Sequence, residues 1–137
     1  MNTSFIIRNA EYVEVPIPSG NTKQTIYFPD LPNLRNRPIM GIEGYSATEQ
    51  GTTTSGATVQ ALSDLHESTI TLYFDGGEYI VVPFLSIRRV GGTAAFYQTI
   101  PQLAGQNIVW TKSYVSMNNT VSNFAGKSFL FNVYYNR

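Results

Sequence analysis

The chain contains no cysteine, and that one absence excludes disulfides, thiolate metal sites and cysteine nucleophiles together. Redox compartment therefore leaves no trace in the composition. Charge is scarce as well: Asp, Glu, Lys and Arg make up 13% of the 137 residues, against the roughly 25% usual for soluble domains. Acidic and basic residues balance at nine each, so no overall field draws the chain to nucleic acid, anionic lipid or an acidic substrate. Histidine and tryptophan each occur once. Helical periodicity is nearly absent, and no stretch approaches the roughly 20 apolar residues of a membrane span. Residues 1–10 lack the apolar length and cleavage site of a secretory signal. The expectation is a product made in the cytoplasm, with no membrane span, that is carried in whatever particle it joins.

Thr, Ser and Asn occupy the places that charge vacates, while hydrophobic residues stay at 42%. A free monomer relies on surface charge for colloidal stability. A permanently assembled subunit needs less, so the composition favours a protein that spends its working life in contact with neighbours. The length suits one domain spanning 1–137, with no internal repeat and no linker.

Short runs of Val, Ile, Thr, Tyr and Phe separated by Gly, Pro, Asn and Ser clusters predict many short strands. Residues 68–84 carry the clearest signal: Ile70, Leu72 and Phe74 alternate with Thr69, Thr71 and Tyr73. Asp75-Gly76-Gly77 then breaks the run, and Tyr79, Val81 and Pro83 alternate with Ile80 and Val82. Glycine supplies the positive φ that a tight reversal needs, so this is a hairpin. Further strands are predicted at 5–8, 12–17, 25–28, 39–45, 94–97, 108–110, 114–117 and 128–135. About ten strands suit an all-β antiparallel sandwich, first of all a single jelly roll. All seven prolines fall at run ends or in connections, where a missing N–H breaks no central ladder. A helical turn is predicted only at 61–67, capped by Ser63 or Asp64. Residues 47–58 read as a polar exposed loop or hairpin tip, and 117–127 as a second polar loop.

Catalytic constellations are poorly supported. His66, in Ser63-Asp64-Leu65-His66-Glu67, is the one base available to a serine nucleophile, and no Gly-x-Ser-x-Gly elbow accompanies it. Asp64, His66 and Glu67 on one turn cannot all face one metal ion. Asp30, Glu43, Glu49, Asp64, Glu67, Asp75 and Glu78 offer carboxylate pairs for glycoside hydrolysis, but no spacing selects one. Val90-Gly91-Gly92-Thr93 and Asp75-Gly76-Gly77 lack the lysine and strand-loop-helix setting of a phosphate loop. Asn118-Asn119-Thr120 matches a glycosylation acceptor, incidental without a secretory route. The reading is a non-enzyme with no cofactor and no metal.

Binding residues are easier to nominate. Arg35 and Arg37 flank Asn36, and Arg88 and Arg89 end a strand run. Guanidinium forks suit carboxylate-bearing subunit contacts as well as solvated loops, and nucleic acid is not expected. Trp110, Tyr134 and Tyr135 complete the candidate interface, because exposed Tyr and Trp give contact area at small entropy cost. In 128–135, Phe129, Phe131, Val133 and Tyr135 lie on one face and Leu130, Asn132 and Tyr134 on the other. A strand apolar on both sides is central in a sandwich or is covered by another subunit.

An uncharged, cysteine-free, Thr/Ser/Asn-rich chain with the Tyr27-Phe28-Pro29-Asp30-Leu31-Pro32 connection, the hairpin at Asp75 and a closing strand at 128–135 resembles the small jelly-roll virion proteins of icosahedral bacteriophages. The resemblance spans nearly the whole chain. It implies a vertex, minor capsid or decoration subunit whose partners are its own copies and other shell proteins. No individual residue role follows from it. The alternative is a carbohydrate- or receptor-binding sandwich module, such as a spike or fibre domain, using exposed Tyr and Trp110.

Overall fold

The computed structural model describes residues 9–88, 106–118 and 120–135. Among these residues eight strands form: β1 (Asn9–Pro16), β2 (Thr25–Tyr27), β3 (Pro38–Tyr45), β4 (Ser68–Tyr73), β5 (Tyr79–Pro83), β6 (Gln106–Asn107), β7 (Tyr114–Met117) and β8 (Ser128–Tyr135). They make two four-stranded sheets, ordered β1-β8-β3-β6 and β2-β7-β4-β5. Every pairing is antiparallel. The pairs β1·β8, β2·β7, β3·β6 and β4·β5 are nested, as if one long hairpin were folded over and split between two layers. That nesting is the jelly roll expected from the strand count.

Alternation sends one side of each strand into the gap between the sheets. Val13 and Val15 of β1 face Phe131 and Phe129 of β8, and Ile42 and Gly44 of β3 face Val133 and Phe131. The other sheet contributes Ile70, Leu72, Val82, Val115 and Met117. Aromatic rings tie the layers together. Phe28 meets Trp110 edge-on at 5.3 Å between centroids and Phe131 at 5.4 Å, while Phe84 meets Phe129 at 5.8 Å and Phe131 at 5.2 Å. A bulge between Ile39 and Gly41 resets the β3 register, so that Ile39 is buried opposite Tyr135 while Gly41 faces Tyr134.

Several local expectations change. The helical turn is Leu62–Leu65, entered from an extended Ala61 with no side-chain cap, because Ser63 and Asp64 lie inside the turn rather than ahead of it. The strand expected at 108–110 is a single bridge from Ile108 to Phe74, after which Trp110–Lys112 turns as a 3-10 helix and carries the indole into the core. Residues 47–58 make the hairpin tip, exposed over most of its length yet tethered to β1. Thr53 is buried, Thr52 bridges Thr58, and Thr53 and Ser55 hydroxyls donate to Glu14 on β1. The 117–127 loop is likewise anchored, by buried Phe124 and by the Gln60 amide donating to the Phe124 and Lys127 carbonyls. The strands expected at 5–8 and 94–97, the Gly91-Gly92 segment, Arg89 and Asn119 lie outside the described residues.

The hydrogen bond from the Gly77 N–H to the Phe74 carbonyl closes the hairpin turn, with Gly77 at φ 88°. A second glycine is required by contact rather than by dihedral: a Cβ on Gly44 would stand 2.5 Å from two ring carbons of fully buried Phe84. Gly44→Ala should therefore destabilise the fold by about 1–3 kcal/mol, the usual cost of overpacking. Urea unfolding checks this. In the double variant with Phe84→Leu the two losses should be less than additive, since the smaller side chain frees the space.

Candidate functional site

The β2-β7-β4-β5 sheet turns a face to solvent on which charge is almost absent. Register puts Tyr27 opposite Tyr114, Tyr114 opposite Thr71, Thr71 opposite Val81, and Tyr73 opposite Tyr79. Four tyrosines from four strands thus form one row, with centroids 5.6 Å apart for Tyr27–Tyr114, 6.4 Å for Tyr73–Tyr114 and 5.1 Å for Tyr73–Tyr79. Thr25, Ser116, Thr69 and Pro83 share the same face. The row is not core: Tyr27 is 59% exposed, Tyr79 57% and Val81 56%. Partial desolvation, followed by the neighbouring hydroxyls of Tyr114, Tyr79 and Tyr27, pushes Tyr73 above the usual tyrosine range. The four present ring surface and hydroxyls that can both donate and accept.

A cleft of about 410 Å³ adjoins this face. The β2–β3 connection supplies Asp30, Arg35 and Asn36, the β4–β5 turn supplies Asp75, and Ile108 and Trp110 come from the segment before β7. Arg35 Nη2 donates to Asp30 Oδ2 at 2.6 Å, and both side chains stay more than half exposed. Asn36 holds φ 58°, a left-handed conformation that Asn tolerates better than other side chains do. Thr111 lines both the cleft and the depression between Tyr27, Tyr73 and Tyr114, so the two features meet.

The candidate interface residues do not gather. Arg35 is at the cleft; Arg37 is half-buried beside Pro38. Arg88 is held within the chain, its Nε and Nη2 donating to Glu49 Oε1 and Oε2 at 3.0 and 2.9 Å. Trp110 is 4% exposed and belongs to the core, which removes it as a surface sugar platform. Tyr135 packs against the inner core, and the Tyr134 hydroxyl donates to Glu43 Oε1 at 2.7 Å while accepting from the Asn132 amide. His66 is exposed, and Asp64 Oδ2 accepts from Lys127 Nζ at 3.4 Å. The residues missed in sequence are the four tyrosines. The alternation at Tyr79, Val81 and Pro83 marks an outward strand face, but only pairing across four strands assembles the row.

No family model, curated protein or solved structure matches this chain.

The Glu49–Arg88 pair holds the 46–60 loop to the segment after β5. Burial alone would raise Glu49; bonds from Arg88, the Ser46 hydroxyl and the Ser46 N–H, with the Arg88 charge, outweigh it and hold the carboxyl below the usual range. A depressed folded pKa gives stability that is complete above the ordinary glutamate value of about 4.3 and is lost as pH falls through the folded one. Arg88→Met should cost on the order of 3 kcal/mol near pH 7, since it strands a buried carboxylate. The difference from wild type should shrink as acid protonates Glu49, which denaturant melts at a series of pH values would show.

Proposed function

We propose that this chain is a non-catalytic structural subunit of a virion, a jelly-roll building block of penton, minor capsid or decoration type that works by being covered by its neighbours. The observation that carries the reading is the tyrosine row with Val81 and Pro83: an uncharged, aromatic-rich exposed sheet face ending at the edge strand β5. Interface cores are depleted of charge and enriched in Tyr, and a sheet edge left open on a monomer is an aggregation hazard. Copies of the chain and other shell proteins are the partners that remove both exposures in a closed particle. The jelly roll is an architecture of capsid and lectin domains alike, so the fold supports the reading without deciding it. Balanced charge argues against a nucleic-acid partner. Among the described residues no helix is long and apolar enough to cross a membrane. A second reading, a carbohydrate- or receptor-binding module, is favoured by the cleft beside the tyrosines.

Light scattering coupled to size-exclusion chromatography tests assembly, with the chain alone and co-expressed with shell proteins. Oligomers or a stable co-complex are expected. The triple variant Tyr27→Ser, Tyr79→Ser, Val81→Ser should weaken association at least about tenfold, as loss of tyrosine anchors does. A monomer at all concentrations, indifferent to every shell protein offered, would overturn the proposal.

A further inference from the structure

We infer that the cleft beside Trp110 is a binding site for a neutral carbohydrate, taking one or two sugar residues. Its volume of about 410 Å³ falls within the ordinary range for small-ligand sites. Two carboxylates, Asp30 and Asp75, face one guanidinium, Arg35, so the cleft carries a formal charge of −1 and repels phosphates and acidic sugars. A sugar hydroxyl donates and accepts at once, and so can accept from Arg35 while donating to Asp30 without breaking their pairing. Arg35 uses one of its five N–H donors on Asp30, and the rest stay open at a side chain 60% exposed. Asp75 and Asn36 add planar polar groups of the kind that engage adjacent hydroxyls. Leu31 and Ile108 supply apolar wall for C–H faces.

The site is also largely pre-formed, which lowers the entropic cost of binding. Pro29 and Pro32 bracket Asp30 and Leu31, and Leu34, fully buried, pins the turn that presents Arg35 and Asn36. Left-handed backbone at a non-glycine residue is stored strain of the sort that collects at ligand sites. Trp110 lines the cleft, and its indole N–H, sealed from bulk solvent, has no acceptor among the described residues. A buried donor without a partner is uncommon, and one in a ligand-site wall responds to whatever fills the space beside it. A cationic occupant, such as a lysine of a neighbour, would satisfy the charge but would leave the Arg35 donors unused.

Trp110 is the chain's only tryptophan, so its fluorescence and indole N–H resonance report on this cleft alone. The full chain is titrated with cellobiose, maltose, lactose, mannobiose and diacetylchitobiose, and separately with spermidine and inorganic phosphate. At least one sugar should shift both signals saturably, and Arg35→Ala and Asp75→Asn should each weaken that sugar about tenfold or more. Both residues are exposed, and circular dichroism checks that the variants fold. Silence with every sugar, a response to spermidine or phosphate alone, or unchanged sugar affinity in both variants would overturn the inference. The cleft lies outside the face cut by the triple serine variant, so either proposal can fail without the other.

Discussion

Burial of β8 on both of its faces is the constraint from which the rest of the structure follows. Phe129, Phe131 and Val133 face the gap between the sheets, and that gap can be dry only if the second sheet lies across it. On the other side Leu130 packs with Tyr45, Val59 and Ala47, which draws residues 46–60 back over the first sheet. Ser128 makes the fold-back specific: its N–H donates to the Thr58 carbonyl, its carbonyl accepts from the Gln60 N–H, and its hydroxyl donates to Glu14. A strand flanked by β1 and β3 and covered above and below keeps surface only at its end, where Tyr134 and Tyr135 are half-buried.

This asymmetry between the sheets directs where function can reside. Over β8 and β3 the first sheet spends its outer face internally, on the 46–60 loop and on the polar group of Glu43, Asn132 and Tyr134, and keeps Tyr12 of β1 as its one large exposed aromatic among the described residues. The second has nothing of the kind over β4, β5 and β7 among the described residues, and there the tyrosines stand exposed. Arg88 shows the same logic for charge. With charged residues so few, the guanidinium of Arg88 is engaged by Glu49 in holding a loop, while Arg35, paired at the surface, keeps most of its donors free.

The cleft and the row meet at Thr111 but differ in chemistry. The row offers broad, neutral, amphipathic area suited to another protein's surface. The cleft offers converging hydrogen-bonding groups in a small volume suited to a small polar ligand. A particle subunit that buries one while displaying the other would combine assembly with attachment on a single small domain.

Strand periodicity, the Asp75-Gly76-Gly77 reversal and proline placement were legible in the residues themselves, because period-2 alternation and glycine's access to positive φ are local properties of the chain. Strand number suited two packed sheets or a barrel, and the jelly-roll order itself is set by the pairing of distant strands. The destinations of single side chains were not legible either. Trp110 reads as a surface aromatic until Phe28 is brought against it; Arg88 reads as solvated until Glu49, far away in sequence, folds over it; the tethers of residues 47–58 are invisible until Glu14 and Ser128 supply partners. Tyr27, Tyr73, Tyr79 and Tyr114 belong to four strands, and their adjacency exists only in the register of three strand pairs. Composition and alternation determined that this chain makes a charge-poor β-sandwich. Long-range pairing alone decided which of its aromatics and arginines face the world, since a contact between distant residues is a property of the assembled sheets and not of any segment within them.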